Sequence, residues 1–224
     1  MSSFIGLTLA ALLWIQPIIA GAEIKGYERV SGNDEENISL YAKKMDDLYR
    51  DFKIDIKGVM YSQPFWASVT NPSYAPQIIC KDINNDHKRE LIIVLTKGYG
   101  TGVLWEDVHV FDTSTTSLNE VIVDHPLAII HKNVKTKLTP KEANVIVGDK
   151  SYSVDITPLK IKQQNLFDHV SFGSTIDYEV KDNQLTVNVG GQISPASSIG
   201  SIVINYEYRD DMYQAKSIEF EPYQ

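Results

Sequence analysis

The stretch of this sequence most suited to chemistry is a run of oxygen-bearing side chains. Asp82, Asn84 and Asp86 alternate along the chain, and Glu90 follows just before the apolar run at residues 91–95. Carboxylate and amide oxygens, completed by a backbone carbonyl, are the ligands that calcium takes in proteins. A tight loop can bring these short side chains together, and the following strand can hold them. The spacing therefore predicts a calcium-binding loop, with a plain turn rich in Asp and Asn as the alternative.

The same run resembles the calcium loop of FG-GAP and VCBS-type repeats, which form the blades of integrin-like β-propellers. Residues 82–91 read D-I-N-N-D-H-K-R-E-L, where those repeats have D-x-N-x-D-G-x-x-D-L. The resemblance implies side-chain ligands at loop positions one, three, five and nine, and a main-chain carbonyl at position seven. In this chain those positions are Asp82, Asn84, Asp86, Glu90 and the backbone of Lys88.

Two positions depart from the repeat pattern. His87 replaces the glycine at position six, so we expect a left-handed or strained backbone there. Glu90 replaces an aspartate and is one methylene longer. The resemblance covers residues 74–123 in a single copy. Since each blade of a propeller buries its face against the next, one repeat cannot close a propeller of the usual kind. A small or degenerate β-propeller is the alternative fold.

The elements that must position this loop are predicted to be mainly β strands. Alternating apolar residues and turn signals indicate an α+β chain of antiparallel meanders and hairpins around a propeller-blade-like segment. The strands predicted on this basis span residues 54–61, 77–81, 90–96, 104–112, 118–123, 134–138, 143–147, 151–156, 175–180, 184–189, 201–208 and 213–220. Residues 98–102 are glycine-rich and predict a hairpin turn. Residues 190–200 predict a loop of small residues.

Two helices are predicted. Residues 33–53 place Ile38, Tyr41, Met45, Leu48 and Phe52 at spacings of three and four, which is typical of an amphipathic helix near the N-terminus of the mature chain. Residues 126–131 begin with a proline, which suits the first turn of a short helix.

Residues 63–76 contain three prolines and predict an irregular loop, because proline interrupts a strand ladder. Phe65, Trp66 and Tyr74 lie in this segment. Aromatic rings on a rigid loop can stack on a sugar or a peptide, so these three residues are the predicted ligand-binding group. The alternative is that they cover the end of the core.

No recognisable catalytic motif occurs, and no catalytic residue is assigned. The best acid–base candidates are Asp107 and His109, which alternate onto one face of a predicted strand with Trp105 and Phe111. An imidazole and a carboxylate beside aromatic rings can support hydrolysis. The alternative is a half-exposed strand face that carries polar residues.

The first 22 residues predict export. No charged residue occurs from Phe4 to Ala22, and Ala20-Gly21-Ala22 provides a small-x-small site that predicts cleavage before Glu23. An uncleaved membrane anchor facing outside is the alternative. The single cysteine, Cys80, excludes an intramolecular disulfide and is expected to be buried in its strand. The predicted organisation is a signal peptide at 1–22, a helix and blade-like segment at 23–125, and a hairpin region at 126–224, or one continuous domain from residue 23.

The net charge of −8 disfavours nucleic acid and anionic membranes as partners. Taken together, these features predict a secreted, non-catalytic β-module that is stabilised by calcium. Its expected partner is a protein or a cell-wall polymer outside the cell or in the envelope. A secreted hydrolase acting through Asp107 and His109 is the alternative function.

Overall fold

The computed structural model describes residues 24–113 and 118–223, and this part of the chain is mainly β, with antiparallel hairpins and one α-helix. The predicted signal segment and its cleavage site before Glu23 lie outside the described residues. Within the described ranges, no helix has the length and apolar character that crossing a membrane requires.

The strands lie close to the predicted positions over most of the chain. They are β1 (Glu28–Asn33), β2 (Ile38–Met45), β3 (Leu48–Ile56), β4 (Val59–Val69), β5 (Gln77–Lys81), β6 (Glu90–Gly100), β7 (Val103–Asp112), β8 (Asn119–Val123), β9 (Val134–Leu138), β10 (Glu142–Val147), β11 (Lys150–Asp155), β12 (Ser171–Lys181), β13 (Gln184–Ser194), β14 (Ser197–Arg209) and β15 (Met212–Pro222). The helix α1 (Pro126–Asn133) confirms the short helix predicted there. Single 3-10 turns occur at Pro72–Tyr74, Thr157–Leu159 and Gln163–Asn165.

The described residues form three sheets. β1 to β4 make a four-stranded sheet in sequence order, and β9 to β11 make a three-stranded one. The largest sheet has eight strands in the order β12-β13-β14-β15-β8-β7-β6-β5, with an additional parallel pairing between β12 and β7. Strands from before and after residue 125 therefore share one sheet.

The prediction of an amphipathic helix at residues 33–53 is wrong. Those residues form the end of β1, then β2 and the first part of β3. The buried residues Ile38, Leu40 and Ala42 alternate along β2 with a period of two, while Met45 is 53% exposed. Asp46, in the turn between β2 and β3, takes a φ of 55°, a left-handed conformation that Asp tolerates better than most residues. This turn separates two strands that the helical spacing had joined.

Three other predicted boundaries are wrong. The strand predicted at 54–61 contains the β3–β4 turn at Lys57 and Gly58, which have φ values of 52° and 87°. The loop predicted at 63–76 begins inside β4, which continues through Pro64. A register shift between β3 and β4 lies opposite this proline, and such an irregularity accommodates its missing N–H. The loop predicted at 190–200 is a hairpin, since β13 and β14 extend until only two residues remain between them.

The core has two parts that meet at β6. Leu91, Ile93 and Leu95 point into the apolar cluster shared with β2, β3 and β4. Ile92 and Val94 point into the cluster shared with the three-stranded sheet, α1 and the strands β12 to β15. A strand that is covered on both faces needs a continuous apolar run rather than an alternating one. The run at residues 91–95 therefore follows directly from the position of β6 between two layers.

Candidate functional site

The acidic loop connects β5 to β6. These strands pair as an antiparallel hairpin whose last pair, at the base of the loop, is Lys81 with Glu90. Residues 82–89 therefore project from one end of the largest sheet, directly beyond the doubly covered strand β6. The strand–loop–strand arrangement predicted around this loop is confirmed.

Three of the predicted ligands accept hydrogen bonds from the backbone of their own loop. Asp82 Oδ2 accepts from the N–H of His87 at 3.0 Å, and Asn84 Oδ1 accepts from the N–H of Asp86 at 2.9 Å. Asp86 Oδ1 accepts from the N–H of Lys88 at 2.8 Å. Such side-chain-to-backbone bonds fold a tight loop without a regular ladder. The structure therefore brings these three side chains to the inside of one turn.

The loop contains two left-handed residues other than glycine. Asn85 has a φ of 63° and His87 has a φ of 68°. Asparagine tolerates this region well, whereas histidine does so less readily. The expectation that His87 takes the conformation usually given to glycine is confirmed.

The base of the loop is buried. Glu90 is only 2% exposed, and its Oε2 accepts a hydrogen bond from the N–H of Ile83 at 2.8 Å. Burial raises the pKa of the Glu90 carboxyl, the bond from Ile83 opposes this, and the nearby charges of Asp86 and Asp82 raise it further. The side chain of Ile83, 5% exposed, packs into the apolar cluster of the C-terminal strands. Ile83 thus anchors the loop to the core.

Two buried polar atoms lack a partner in the described part of the chain. One is Asp82 Oδ1 and the other is the hydroxyl of Tyr213. Buried polar atoms are paired in the great majority of cases, so each exception needs an explanation. The Asp82 carboxylate has one oxygen committed to the loop backbone and one without a partner.

The loop offers the oxygen donors that calcium prefers, because carboxylates, an amide and the Lys88 carbonyl lie in one turn. Among residues 24–113 and 118–223, however, no three His, Cys, Asp or Glu residues are grouped closely enough to hold a metal ion. Oxygens of Asp82, Asn84 and Asp86 are turned towards backbone N–H groups. The unpartnered Asp82 Oδ1 is the oxygen that fits a cation best as the loop stands.

The three predicted ligand-binding aromatic residues do not form one surface. Trp66 is 7% exposed and packs between Phe52, Phe111 and His109, whose ring it stacks on at 4.0 Å. Phe65 is 94% exposed. Tyr74 stacks on Tyr99, with 4.5 Å between ring centroids. Trp66 therefore belongs to the core, Phe65 is open to a partner, and Tyr74 covers a neighbouring strand.

The two acid–base candidates on β7 have separate partners. Asp107 Oδ2 lies 2.8 Å from Lys97 Nζ, and His109 Nδ1 lies 2.6 Å from Glu120 Oε1. The structure therefore places the two side chains in separate polar contacts.

The chain matches no family model, no curated protein and no solved structure. What its residues can do is therefore inferred from their geometry and chemistry.

A buried carboxylate on β7 was missed by sequence reasoning. Glu106 is 5% exposed, and its Oε2 accepts a hydrogen bond from the N–H of Tyr178 on β12 at 2.8 Å. Burial is the main cause that raises the pKa of Glu106 to about 7, and the neighbouring Asp177 adds to it. Successive side chains of β7 point to opposite faces of the sheet, so Glu106 and Asp107 lie on different faces. This alternation is the one sequence signal that could have indicated the burial of Glu106. Its side chain links β7 to β12 beside their short parallel pairing.

Proposed function

We propose that this chain is an exported, non-catalytic β-module whose 82–91 loop binds calcium, within a propeller-blade-like segment. The observation that carries the proposal is Asp82 Oδ1, a buried carboxylate oxygen without a partner in a loop of calcium-type donors. The ligands would be the side chains of Asp82, Asn84, Asp86 and Glu90 and the main-chain carbonyl of Lys88.

The negative charges of this loop favour a bound cation. Asp82 and Asp86 both raise the pKa of Glu90 through their negative charges. Carboxylates that repel one another destabilise the folded loop, and a cation between them removes that repulsion. Bound calcium would hold the β5–β6 hairpin end in one conformation. The domain would then be stiffened at the end of its largest sheet.

Thermal unfolding tests the calcium site. Extracellular calcium modules bind with a Kd on the order of 10⁻⁴ to 10⁻³ M. Calcium at about 1 mM then adds roughly 0.4 to 1.4 kcal/mol, which raises Tm by a few degrees at most. Magnesium is expected to do much less, because it prefers a smaller octahedral shell and gives up water reluctantly.

Variants define which residues carry the effect. Asp86→Ala should abolish the calcium-dependent rise in Tm, while Asp149→Ala, an exposed carboxylate in the β10–β11 turn, should keep it. Glu90→Gln retains an acceptor for the N–H of Ile83 and removes one charge, so it should weaken calcium binding without unfolding the hairpin. No calorimetric heat and no shift in Tm at millimolar calcium would contradict the calcium proposal.

The binding role is supported by the exposed ring of Phe65 at the irregularity in β4. A protruding aromatic ring can enter a pocket of a protein or stack on a wall polymer. Co-sedimentation with purified cell-wall polymer and capture of envelope proteins test the two partner classes. Phe65→Ala should reduce the retained protein, whereas Tyr223→Ala, another exposed aromatic residue, should not. Equal retention of both variants and the parent would contradict a role for Phe65.

A secreted hydrolase is the second candidate, favoured by the short contact between His109 and Glu120. A carboxylate can orient an imidazole for proton transfer. The engagement of Asp107 by Lys97 weakens this candidate, because the predicted acid then has another partner. Hydrolytic activity on ester, glycoside or peptide substrates that is lost in His109→Gln would favour it over the binding module.

A further inference from the structure

A cleft of about 380 Å³ lies where the four-stranded sheet meets the last part of β6. The turn between β2 and β3 contributes Asp47, the segment after β4 contributes Thr70 and Asn71, and β6 contributes Gly98 and Tyr99. Cavities of roughly 300 to 1,000 Å³ are the size that small-molecule ligands occupy. The acidic loop precedes the start of β6, whereas this cleft adjoins its far end. The two sites are therefore separate.

Hydrogen bonds hold the sides of the cleft in place. Thr70 donates twice to the carbonyl of Asp47, from its N–H at 3.2 Å and from its hydroxyl at 3.3 Å. The hydroxyl of Ser68, which is buried in β4, donates to the carbonyl of Thr96 in β6 at 3.1 Å. A site that is held by such contacts before its ligand arrives has a lower entropic cost of binding.

Gly98 leaves room for a ligand beside β6. It pairs with Trp105 of β7 inside the ladder, and its φ is not positive, so the backbone there does not require glycine. In the described part of the chain, a Cβ at this position would meet no atom within 4 Å apart from its chain neighbours. Glycine inside a strand often marks a place where a ligand approaches the backbone closely. The space over Gly98 is therefore available to a ligand.

Tyr99 gives the cleft an aromatic surface. Its ring stacks on Tyr74, with 4.5 Å between the ring centroids and 24° between the ring planes. This stack fixes the ring, yet Tyr99 stays 46% exposed. Leu48 and Val69 add apolar atoms to the lining. A ring that is already ordered can pack on the C–H groups of a ligand at little cost in side-chain entropy.

The polar groups of the cleft can both accept and donate hydrogen bonds. The carboxylate of Asp47 is exposed and accepts. Asn71 uses its Oδ1 for the N–H of Ser73 at 3.0 Å, which leaves its amide NH₂ group to donate. A hydroxyl can donate to Asp47 and accept from Asn71, whereas an ammonium or a guanidinium has no acceptor. None of the described residues that line the cleft is Lys, Arg or His, so the cleft offers no cation to an anionic ligand.

We propose that this cleft binds a neutral saccharide, with a sugar ring packed on Tyr99 and its hydroxyls hydrogen-bonded to Asp47 and Asn71. This inference rests on the proposed binding function and gives it a ligand class. The partner is then a neutral glycan chain of a wall polymer rather than a protein. The sugar is recognised by the end of the four-stranded sheet and by β6 together.

Calorimetric titration of the full chain with soluble tetrasaccharides tests the proposal. Cellotetraose, chitotetraose and mannotetraose represent neutral glycan chains, and tetralysine represents a basic peptide. At least one tetrasaccharide should bind, and Tyr99→Ala should raise its Kd on the order of tenfold, because the aromatic surface is lost. Binding of tetralysine alone would overturn the proposal, and so would a lack of binding by all of the sugars.

Gly98→Val and Gly100→Val form a matched pair of variants. Both glycines lie in β6 without a positive φ, and valine suits a strand. Valine at position 98 fills the cleft, so it should raise the Kd for the sugar at least about tenfold. Gly100 is not among the residues described as lining the cleft, so Gly100→Val should keep the Kd of the parent. Thermal unfolding shows that both variants fold, and Asp47→Ala, at an exposed turn position, should weaken binding without altering β6.

The outcomes separate this inference from the proposed function. If cell-wall polymer retains the parent and Gly98→Val equally, and both bind the tetrasaccharide with the same Kd, the cleft inference is overturned and the binding module stands. If the polymer does not retain the parent and no tetrasaccharide binds, the cleft inference and the role in binding a wall polymer are both overturned.

Discussion

The backbone N–H of Ile83 donates to Glu90 Oε2 at 2.8 Å, across the base of the acidic loop. Ile83 and Glu90 are both buried, so this bond closes the loop where it enters the core. A second contact holds the loop from the side of the four-stranded sheet, because Arg89 Nη1 lies 2.6 Å from Glu36 Oε1. The loop that projects beyond these contacts is shaped mainly by its own side chains, and its backbone strain is therefore open to test.

His87→Gly should stabilise the protein. His87 has a φ of 68°, where a side chain with a Cβ is disfavoured and glycine is not. The expected gain is about 0.5 to 1 kcal/mol in the free energy of unfolding, offset in part by the extra freedom of glycine in the unfolded chain. Urea denaturation without calcium measures it, and calorimetry should show tighter calcium binding. Asn85→Gly is the matched control at a φ of 63°, with a smaller gain because asparagine tolerates this region. A loss of stability in His87→Gly would show that the imidazole stabilises the loop.

Trp66 and Phe65 are neighbours in β4, but truncation should destabilise the protein strongly at Trp66 and hardly at all at Phe65. Trp66→Ala removes a ring packed on Phe52, Phe111 and His109, so we expect a loss of about 3 to 5 kcal/mol. Phe65→Ala changes a side chain that is 94% exposed, so its effect should stay within about 0.5 kcal/mol. Chemical denaturation of both variants checks the pair. Equal losses would mean that Phe65 is covered in solution.

Residues 91–95 and 33–53 show how much of the fold the sequence could predict. The run at residues 91–95 marks a strand because only burial on both faces requires such a run, and the turn residues around it locate β5, β7 and β8. Residues 33–53 were misassigned because Ile38, Tyr41 and Met45 satisfy helical spacing by chance. No local sequence feature indicates that Leu40 and Ala42 share a buried cluster with β6, which lies about fifty residues later.

The residues of the candidate site also fall into those that the sequence indicates and those that it does not. Asp82, Asn84 and Asp86 were found because all three lie in one local motif. Glu106 was missed, since its role depends on strands brought together by the sheet order. The burial of Glu106 depends on the β12–β7 pairing, which joins residues about seventy positions apart.

Cys80 should react slowly with a thiol reagent in the native protein. Its side chain is half-buried in β5 against the cluster shared with the four-stranded sheet. Burial raises the pKa of the thiol to about 11, so the reactive thiolate is scarce at neutral pH. Labelling with and without denaturant measures the difference, and raising the pH should accelerate native labelling up to about pH 11. Equal rates in both conditions would contradict the shielding of β5.

Glu106→Gln should stabilise the protein at alkaline pH. The pKa of Glu106 is raised to about 7, mainly by burial, so the folded state holds a proton that the unfolded state has released. The favourable contribution of the protonated carboxyl is complete below the unfolded pKa, about 4.3, and is lost as pH rises to about 7. Each pH unit between these values is worth about 1.4 kcal/mol, which makes the loss at most about 4 kcal/mol.

The polar groups around the Glu106 carboxyl come from two neighbouring strands, and they allow the variant to be compared with a matched control. Thr96 on β6, and Asp177 and the N–H of Tyr178 on β12, surround it. Burial also raises the pKa of Asp177, which therefore titrates in the same direction. Glutamine keeps an acceptor for Tyr178 and can donate to Asp177, so Glu106→Gln should flatten the fall in stability between pH 5 and pH 8. Glu221→Gln, an exposed carboxyl on β15, should leave that fall unchanged. Urea denaturation at several pH values measures all three proteins, and a parent whose stability does not fall with pH would mean that Glu106 is ionised without penalty.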